Sequence, residues 1–200
     1  MHLGNDFFSL LYLVATILFI FGLKGLASPR TAQQGNLSAM VGMALAVGTT
    51  LLNPEVTSYT WIIAGLAIGG VIGAVVALKI KMTAMPQLVA ALHSFVGLSA
   101  VFVAAGTYFT HQEHNALNGV LLSEIAAGSV IGAITFSGSL VAFGKLQELL
   151  SSSPLVFKGQ HFLNLLIALG AVGFGVAFAM DPCWTYFLVM TGLSLVIGFT

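Results

Sequence analysis

Seven long apolar stretches separated by short polar links constrain this chain more than any other feature. They cover roughly residues 6–27, 36–53, 58–80, 84–109, 120–144, 161–180 and 183–200. Each is about as long as a helix that crosses a hydrocarbon core roughly 30 Å thick. Inside lipid, a segment must satisfy its own backbone N–H and C=O groups, which restricts spanning forms to helices and closed barrels. The pattern predicts an all-α fold: a polytopic transmembrane helical bundle of about seven spans, lying in a lipid bilayer. Only 6% of the residues are charged. A typical soluble domain carries about 25%, so the chain has too little charge to cover a water-exposed surface.

The stretches end in helix chemistry. Pro86 and Pro182 suit first-turn positions, where a missing N–H costs nothing. Asp181 before Pro182, and Ser123 before Glu124, read as N-caps. The second stretch is the shortest. The links are Pro29 to Gln34, Asn53 to Glu55 and His111 to Asn115, with a longer one from Leu146 to Gln160. That longer link contains Ser151-Ser152-Ser153-Pro154, and its leucines and Phe157 predict a segment lying on the membrane surface.

Charge sets orientation. All six basic residues, Lys24, Arg30, Lys79, Lys81, Lys145 and Lys158, fall on one side of the alternation. Asp6, Glu55, Glu113 and Asp181 fall on the other. The positive-inside rule then places the N-terminus outside and the first, third and fifth links in the cytoplasm.

The same inventory excludes several chemistries. Six basic residues balance six acidic ones, so no basic face exists for a nucleic-acid partner. One cysteine, Cys183, excludes an internal disulfide framework and a cysteine-rich metal centre. The start lacks the basic n-region of a cleavable signal peptide. There is no phosphate-binding glycine loop, no second mid-membrane histidine for haem and no arginine row for voltage sensing. The chain breaks off inside an apolar run at Ile197-Gly198-Phe199-Thr200, which predicts a longer parent polypeptide.

His93 is the outstanding candidate. It lies about nine residues into the fourth stretch, roughly 13 Å deep and close to the bilayer middle. A titratable group there is a functional hypothesis by default, and imidazole exchanges protons near neutral pH. Its helical neighbours Pro86, Val89, Ala90, Gly97, Ala100 and Ala104 predict a small-residue face that admits another helix or water. A histidine bonded across helices for structure alone is the competing reading. On the fifth stretch, Gly128, Gly132, Thr135, Ser139 and Ala142 share a stripe. Thr135 and Ser139 fall near the depth of His93, as hydroxyls for the imidazole or a water wire, or as ordinary packing.

Other features are weaker. Gly65, Gly69 and Gly73 form two overlapping GxxxG patterns that read as a packing seam. His2, His111 and His114, with Glu113, are solvated loop residues first, and a metal site or proton antenna second. His161 and Asn164 could line a proton exit or simply cap a helix, and Lys145 and Glu148 read as interface charges.

Three stretches carry a family resemblance. They are MPQLVAALHSFVGL from Met85 to Leu98, GSVIGAITFSGSLVAFGKL from Gly128 to Leu146, and FFSLLYLVATILFIFGLKGLASPR from Phe7 to Arg30. All three resemble the membrane part of the beta subunit of proton-translocating NAD(P) transhydrogenase, and the similarity runs over essentially the whole chain. The resemblance implies hydride transfer between NADH and NADP, coupled to proton movement across a bacterial or mitochondrial inner membrane. It implies that this chain binds no cofactor itself. NAD(H) would bind a soluble domain of the alpha subunit, and NADP(H) a soluble domain that follows the beta membrane part. Implied partners are the alpha subunit's membrane helices and NAD(H) domain, in a dimer of alpha–beta units. The histidine of the LHSFVGL motif, matched by His93, becomes the central proton relay. The hydroxyl of the TFSGS stretch is Ser139, with Ser137 and Thr135 beside it.

The chain departs from the family by stopping early, since about two further helices and the NADP(H) domain are expected downstream. Residues 1–200 are therefore read as the transmembrane proton-translocating domain of a Re/Si-specific enzyme, lacking the hydride-transfer site. The alternative is a non-enzymatic transporter or channel subunit gated by the membrane histidine.

Overall fold

The structure, a computed structural model, describes residues 3–53, 56, 58–114, 116–151, 153, 156 and 158–200. His2, Glu55, Asn115, Ser152, Pro154 and Phe157, and the side chain of Asp6, lie outside this description. The described residues form helices and no strand, so the chain is an all-helical, multi-pass membrane protein. Two units can be distinguished, Met1–Lys79 and Ile80–Thr200.

The first unit holds α1 (Leu3–Leu26), α2 (Ala32–Leu52) and α3 (Thr60–Lys79). The first two pair closely because their facing residues are small. A Cβ on Gly25 would stand 2.6 Å from the Cα of Gly35, so nothing larger than glycine fits there. Gly35, Gly42 and Thr49 are the buried residues of α2, one every seven positions. The Tyr12 hydroxyl meets that of Thr50 at 2.9 Å. α3 behaves differently: no residue of it is buried, and a Cβ on Gly65, Gly69 or Gly73 would meet no atom within 4 Å. The packing seam expected from the GxxxG pattern is therefore not formed against any described residue.

The second unit starts with a single 3₁₀ turn, Met82–Ala84, followed by α4 (Met85–Glu113), α5 (Gly119–Leu146), α6 (Gln160–Met180) and α7 (Trp184–Phe199). Pro86 occupies the first turn of α4, as expected. Two expected caps are displaced. α5 begins a turn before Ser123, because the Asn118 side chain accepts the Leu121 N–H at 2.9 Å. Ser123 instead donates to the Gly119 carbonyl within the helix. Asp181 ends α6, its N–H bonded to the Ala177 carbonyl, and Cys183 precedes α7. A tight turn causes this shift: the Cys183 N–H bonds the Asp181 carbonyl at 2.8 Å, leaving Pro182 outside the helix.

Among the described residues, six helices are long and apolar enough to cross a membrane. The 16-residue α7 is the shorter one, at about 24 Å by its rise per residue. It thus takes the place expected of the second stretch. Lys24, Lys79 and Lys145 stand in the last turns of α1, α3 and α5, where a cation also complements the helix dipole.

α5 is the centre of the second unit, with α4, α6 and α7 all packed on it. Toward the α6–α7 turn, Tyr108, Phe178, Trp184 and Phe187 form an aromatic cluster, with Trp184 stacked on Phe187 at 4.8 Å. The Tyr108 hydroxyl donates to the Pro182 carbonyl at 3.0 Å, satisfying a polar tip that burial would otherwise leave orphaned. At the other end, Gln160 Nε2 donates to the Thr200 carbonyl at 2.8 Å, joining the start of α6 to the end of α7.

Candidate functional site

The site residues sit on the antiparallel α4–α5 pair. Contact there is close: a Cβ on Gly97 would lie 2.5 Å from the Phe136 nitrogen, and one on Gly132 would lie 2.8 Å from the Gly97 oxygen. The Ser94 hydroxyl donates across the seam to the Phe136 carbonyl at 3.2 Å. Near the helix ends, Gln87 Nε2 donates to the Leu146 carbonyl at 2.9 Å. These contacts set the register. They put His93 level with the stretch 136–140 of α5, which includes Ser139, with Thr135 one turn nearer the α4–α5 loop.

Helical phase then sets the side. α7 covers the face of α5 that carries Ser129 and Ser137, and α4 covers Gly132 and Phe136. Ser139 and Thr135, both half-buried, lie beyond Gly132 on the flank away from α7. His93 leaves α4 on that same flank. By helix geometry His93 and Ser139 therefore fall within about one turn of each other along the pair, on the same flank.

Two expectations need correction. His93 was expected to face into the bundle, yet it is exposed, while Ser94 beside it is buried. The small residues do form a seam, with Gly97 and Ala104 buried, but the imidazole stands on its rim because adjacent helix positions differ by about 100°. Ser137 is the second. It is fully buried, donates to the Ala133 carbonyl at 2.9 Å and lies beneath Gly198 of α7. It is therefore separated from His93 and faces the α5–α7 contact instead.

The peripheral candidates are spread along the unit. His111 is tied by Nδ1 to the Thr107 carbonyl at 2.9 Å and, with Asn118 and Glu124, lines a depression of about 790 Å³ at the α4–α5 loop. His161 lines a cleft of about 730 Å³ with Lys145, Ser151, Ser153 and Gln160 at the opposite end. Asn164 Oδ1 is buried without a hydrogen-bond partner among the described residues. Among those residues no three His, Cys, Asp or Glu side chains come together to hold a metal. The Cys183 thiol, in the turn between α6 and α7, is held below its usual range, chiefly by the Thr185 backbone N–H and then by the Thr185 hydroxyl.

The sequence reading missed the hydroxyls that join helices. Ser129 bonds Thr191 at 2.7 Å in the α5–α7 contact, and Ser94 bonds α5. The signal was weak, because a serine in an apolar run reads the same whether it turns back on its own helix or crosses to another.

Comparison with known proteins bears directly on this helix pair. Residues 8–200 match the family described as NAD(P) transhydrogenase beta subunit. The chain belongs to the NAD(P) transhydrogenase beta subunit family. Two curated relatives are named NAD(P) transhydrogenase subunit beta, one from Rhodospirillum rubrum and the other from a particular strain of that species. Each is 46% identical over 193 residues, covering 94% of this chain and 42% of the relative. The chain therefore spans less than half the length of these relatives. What it contains is a membrane part of the transhydrogenase beta subunit, and the three motifs that carried the resemblance all lie within or overlap the matched region.

Proposed function

We propose that this chain is the proton-translocating membrane part of an NAD(P) transhydrogenase, with His93 as its proton relay. Hydride passes from NADH to NADP⁺, giving NAD⁺ and NADPH, on soluble domains outside this chain. NAD(H) is held by the alpha subunit, and NADP(H) by a domain that follows the beta membrane part. The chain's own residues handle the proton. The working enzyme is a dimer of alpha–beta units in a bacterial inner membrane (the mitochondrial inner membrane in a eukaryote), with further helices completing the path.

One observation carries this reading. His93 is the sole titratable side chain between Lys81 and Tyr108 on α4, and α5 has none between Glu124 and Lys145. The α4–α5 register and helix geometry support a position for it within about a turn of Ser139, on the flank that α7 leaves open. The imidazole takes a proton from water on one side, and the Ser139 hydroxyl accepts from or donates to it; Thr135 extends the line toward the loop. Ser137 lies apart from this line, packed against Gly198 of α7. Protonation of His93 biases the helices between two arrangements that favour different states of the NADP(H) domain, and the coupling is reciprocal. Access alternates, because a continuous water wire would leak protons.

The test uses the complete enzyme in liposomes, with wild type or His93→Ala, following NADPH formation and lumenal pH together. Wild type should acidify the lumen with turnover. The variant should lose both while its soluble domains still bind nucleotide. A variant that pumps normally would overturn the relay.

A further inference from the structure

Serine and threonine hydroxyls inside membrane helices usually turn back on their own helix. Thr49, Thr50, Ser137, Thr191 and Ser194 here each donate to the carbonyl four residues earlier. Ser94 does not. It is buried at 5% exposure, and its hydroxyl donates to the Phe136 carbonyl of α5. It is also the immediate neighbour of His93.

That bond has a geometric consequence. Between helices in lipid, apolar faces are nearly interchangeable, so packing and polar bonds set how a helix is rotated about its axis. Val89, Leu92, Phe95 and Val96 are all well exposed apolar residues on α4, and none of them favours one rotation strongly. The close approach at Gly97 limits the separation of the two helices. The Ser94 bond adds a direction. With Ser94 turned into the seam, His93 must emerge on the flank shared with Ser139, and Phe95 on the other.

We propose that Ser94 is a positioning residue for His93: its hydroxyl, bonded to the Phe136 carbonyl, fixes the rotation of α4 that holds the imidazole on the flank of Ser139. This rests on the relay reading of His93. The anchoring carbonyl lies three residues from Ser139 on α5, so one bond constrains both members of the pair. The Phe136 carbonyl remains within the α5 helix when Ser94 is changed. Ser94→Ala therefore removes a constraint without creating an orphaned acceptor, and the chain should fold.

The experiment compares wild type, Ser94→Ala, Ser94→Cys and His93→Ala in the complete enzyme reconstituted in liposomes. The readouts are coupled turnover, lumenal pH and the pH profile of the coupled rate. In wild type and Ser94→Ala no other titratable group lies on the facing stretches of α4 and α5, and the rest of the enzyme is the same in both, so the difference between these two profiles is read against the profile lost in His93→Ala. Ser94→Ala should lower coupled turnover about 3- to 10-fold, the factor expected for one interhelical hydrogen bond, and displace the profile. Ser94→Cys, of similar size with a weak donor, should recover part of the coupled turnover. If His93→Ala abolishes pumping while Ser94→Ala keeps the wild-type rate and profile, the positioning role fails and the relay stands. A lower rate with an unchanged profile and no recovery in Ser94→Cys likewise overturns positioning. If His93→Ala pumps normally, relay and positioning fall together.

Discussion

α3 and α5 read alike in sequence but differ in the fold. Both are glycine-rich apolar helices, and both carry small residues at four-residue spacing. α5 buries eight residues and anchors three neighbours, whereas α3 buries none. The difference lies in what accompanies the glycines. α5 carries Ser123, Ser129, Thr135, Ser137 and Ser139, and three cross-helix hydrogen bonds reach it, at Ser129, Phe136 and Leu146. α3 has a single hydroxyl, on Thr60 at its first residue. Small residues permit close approach, but in lipid they supply no driving force that distinguishes a neighbouring helix from acyl chains. Hydrogen bonds and shape do.

The largest expected effect breaks the comparison at its glycines. Gly132→Leu should destabilise the second unit by about 3 kcal/mol or more, since overpacking a close helix contact forces backbone shifts. Gly69→Leu on α3 should cost under about 0.5 kcal/mol, as surface changes do. Thermal unfolding in detergent measures both, and equal costs would mean that α3 is covered by a neighbour.

A smaller effect isolates the hydroxyls. A double-mutant cycle of Ser129→Ala and Thr191→Val should return a coupling of about 0.6 kcal/mol, the average for interhelical bonds in membrane proteins. Zero coupling would leave packing alone as the reason α5 is partnered. The smallest effect lies where α5 ends. Glu148 adopts a left-handed backbone with φ 59°, and the Leu149 and Leu150 N–H groups both close on the Gly144 carbonyl. Glu148→Gly should stabilise the chain by about 0.5–1 kcal/mol by relieving that conformation. A lower melting temperature would show that the Glu148 side chain matters more than its backbone.

Much of the helix pattern was legible in the residues. Pro86 marked the start of α4, and the polar links marked the breaks. Pro182 misled, because a proline shortly before a helix resembles one in its first turn, and only the Asp181–Cys183 turn separates the two cases. The site was half legible. The residues proposed for it, His93, Thr135 and Ser139, came from the sequence, and their depth from counting residues. Ser137 was grouped with them by proximity in the chain, although two residues along a helix is more than half a turn, which directs it to α7 instead.

The sequence by itself determined that this is a membrane protein of apolar helices, where those helices run, and that one histidine lies deep within α4. These are local consequences: a spanning segment must satisfy its own backbone, and the chain can be read one segment at a time. Only the tertiary structure decided which face of each helix is covered. It turned Ser94 rather than His93 into the α4–α5 seam, gave Ser137 to α7, and left α3 bare within its unit. Lipid and neighbouring side chains are almost equally apolar, so those choices rest on a few hydrogen bonds and close contacts between residues far apart in the chain.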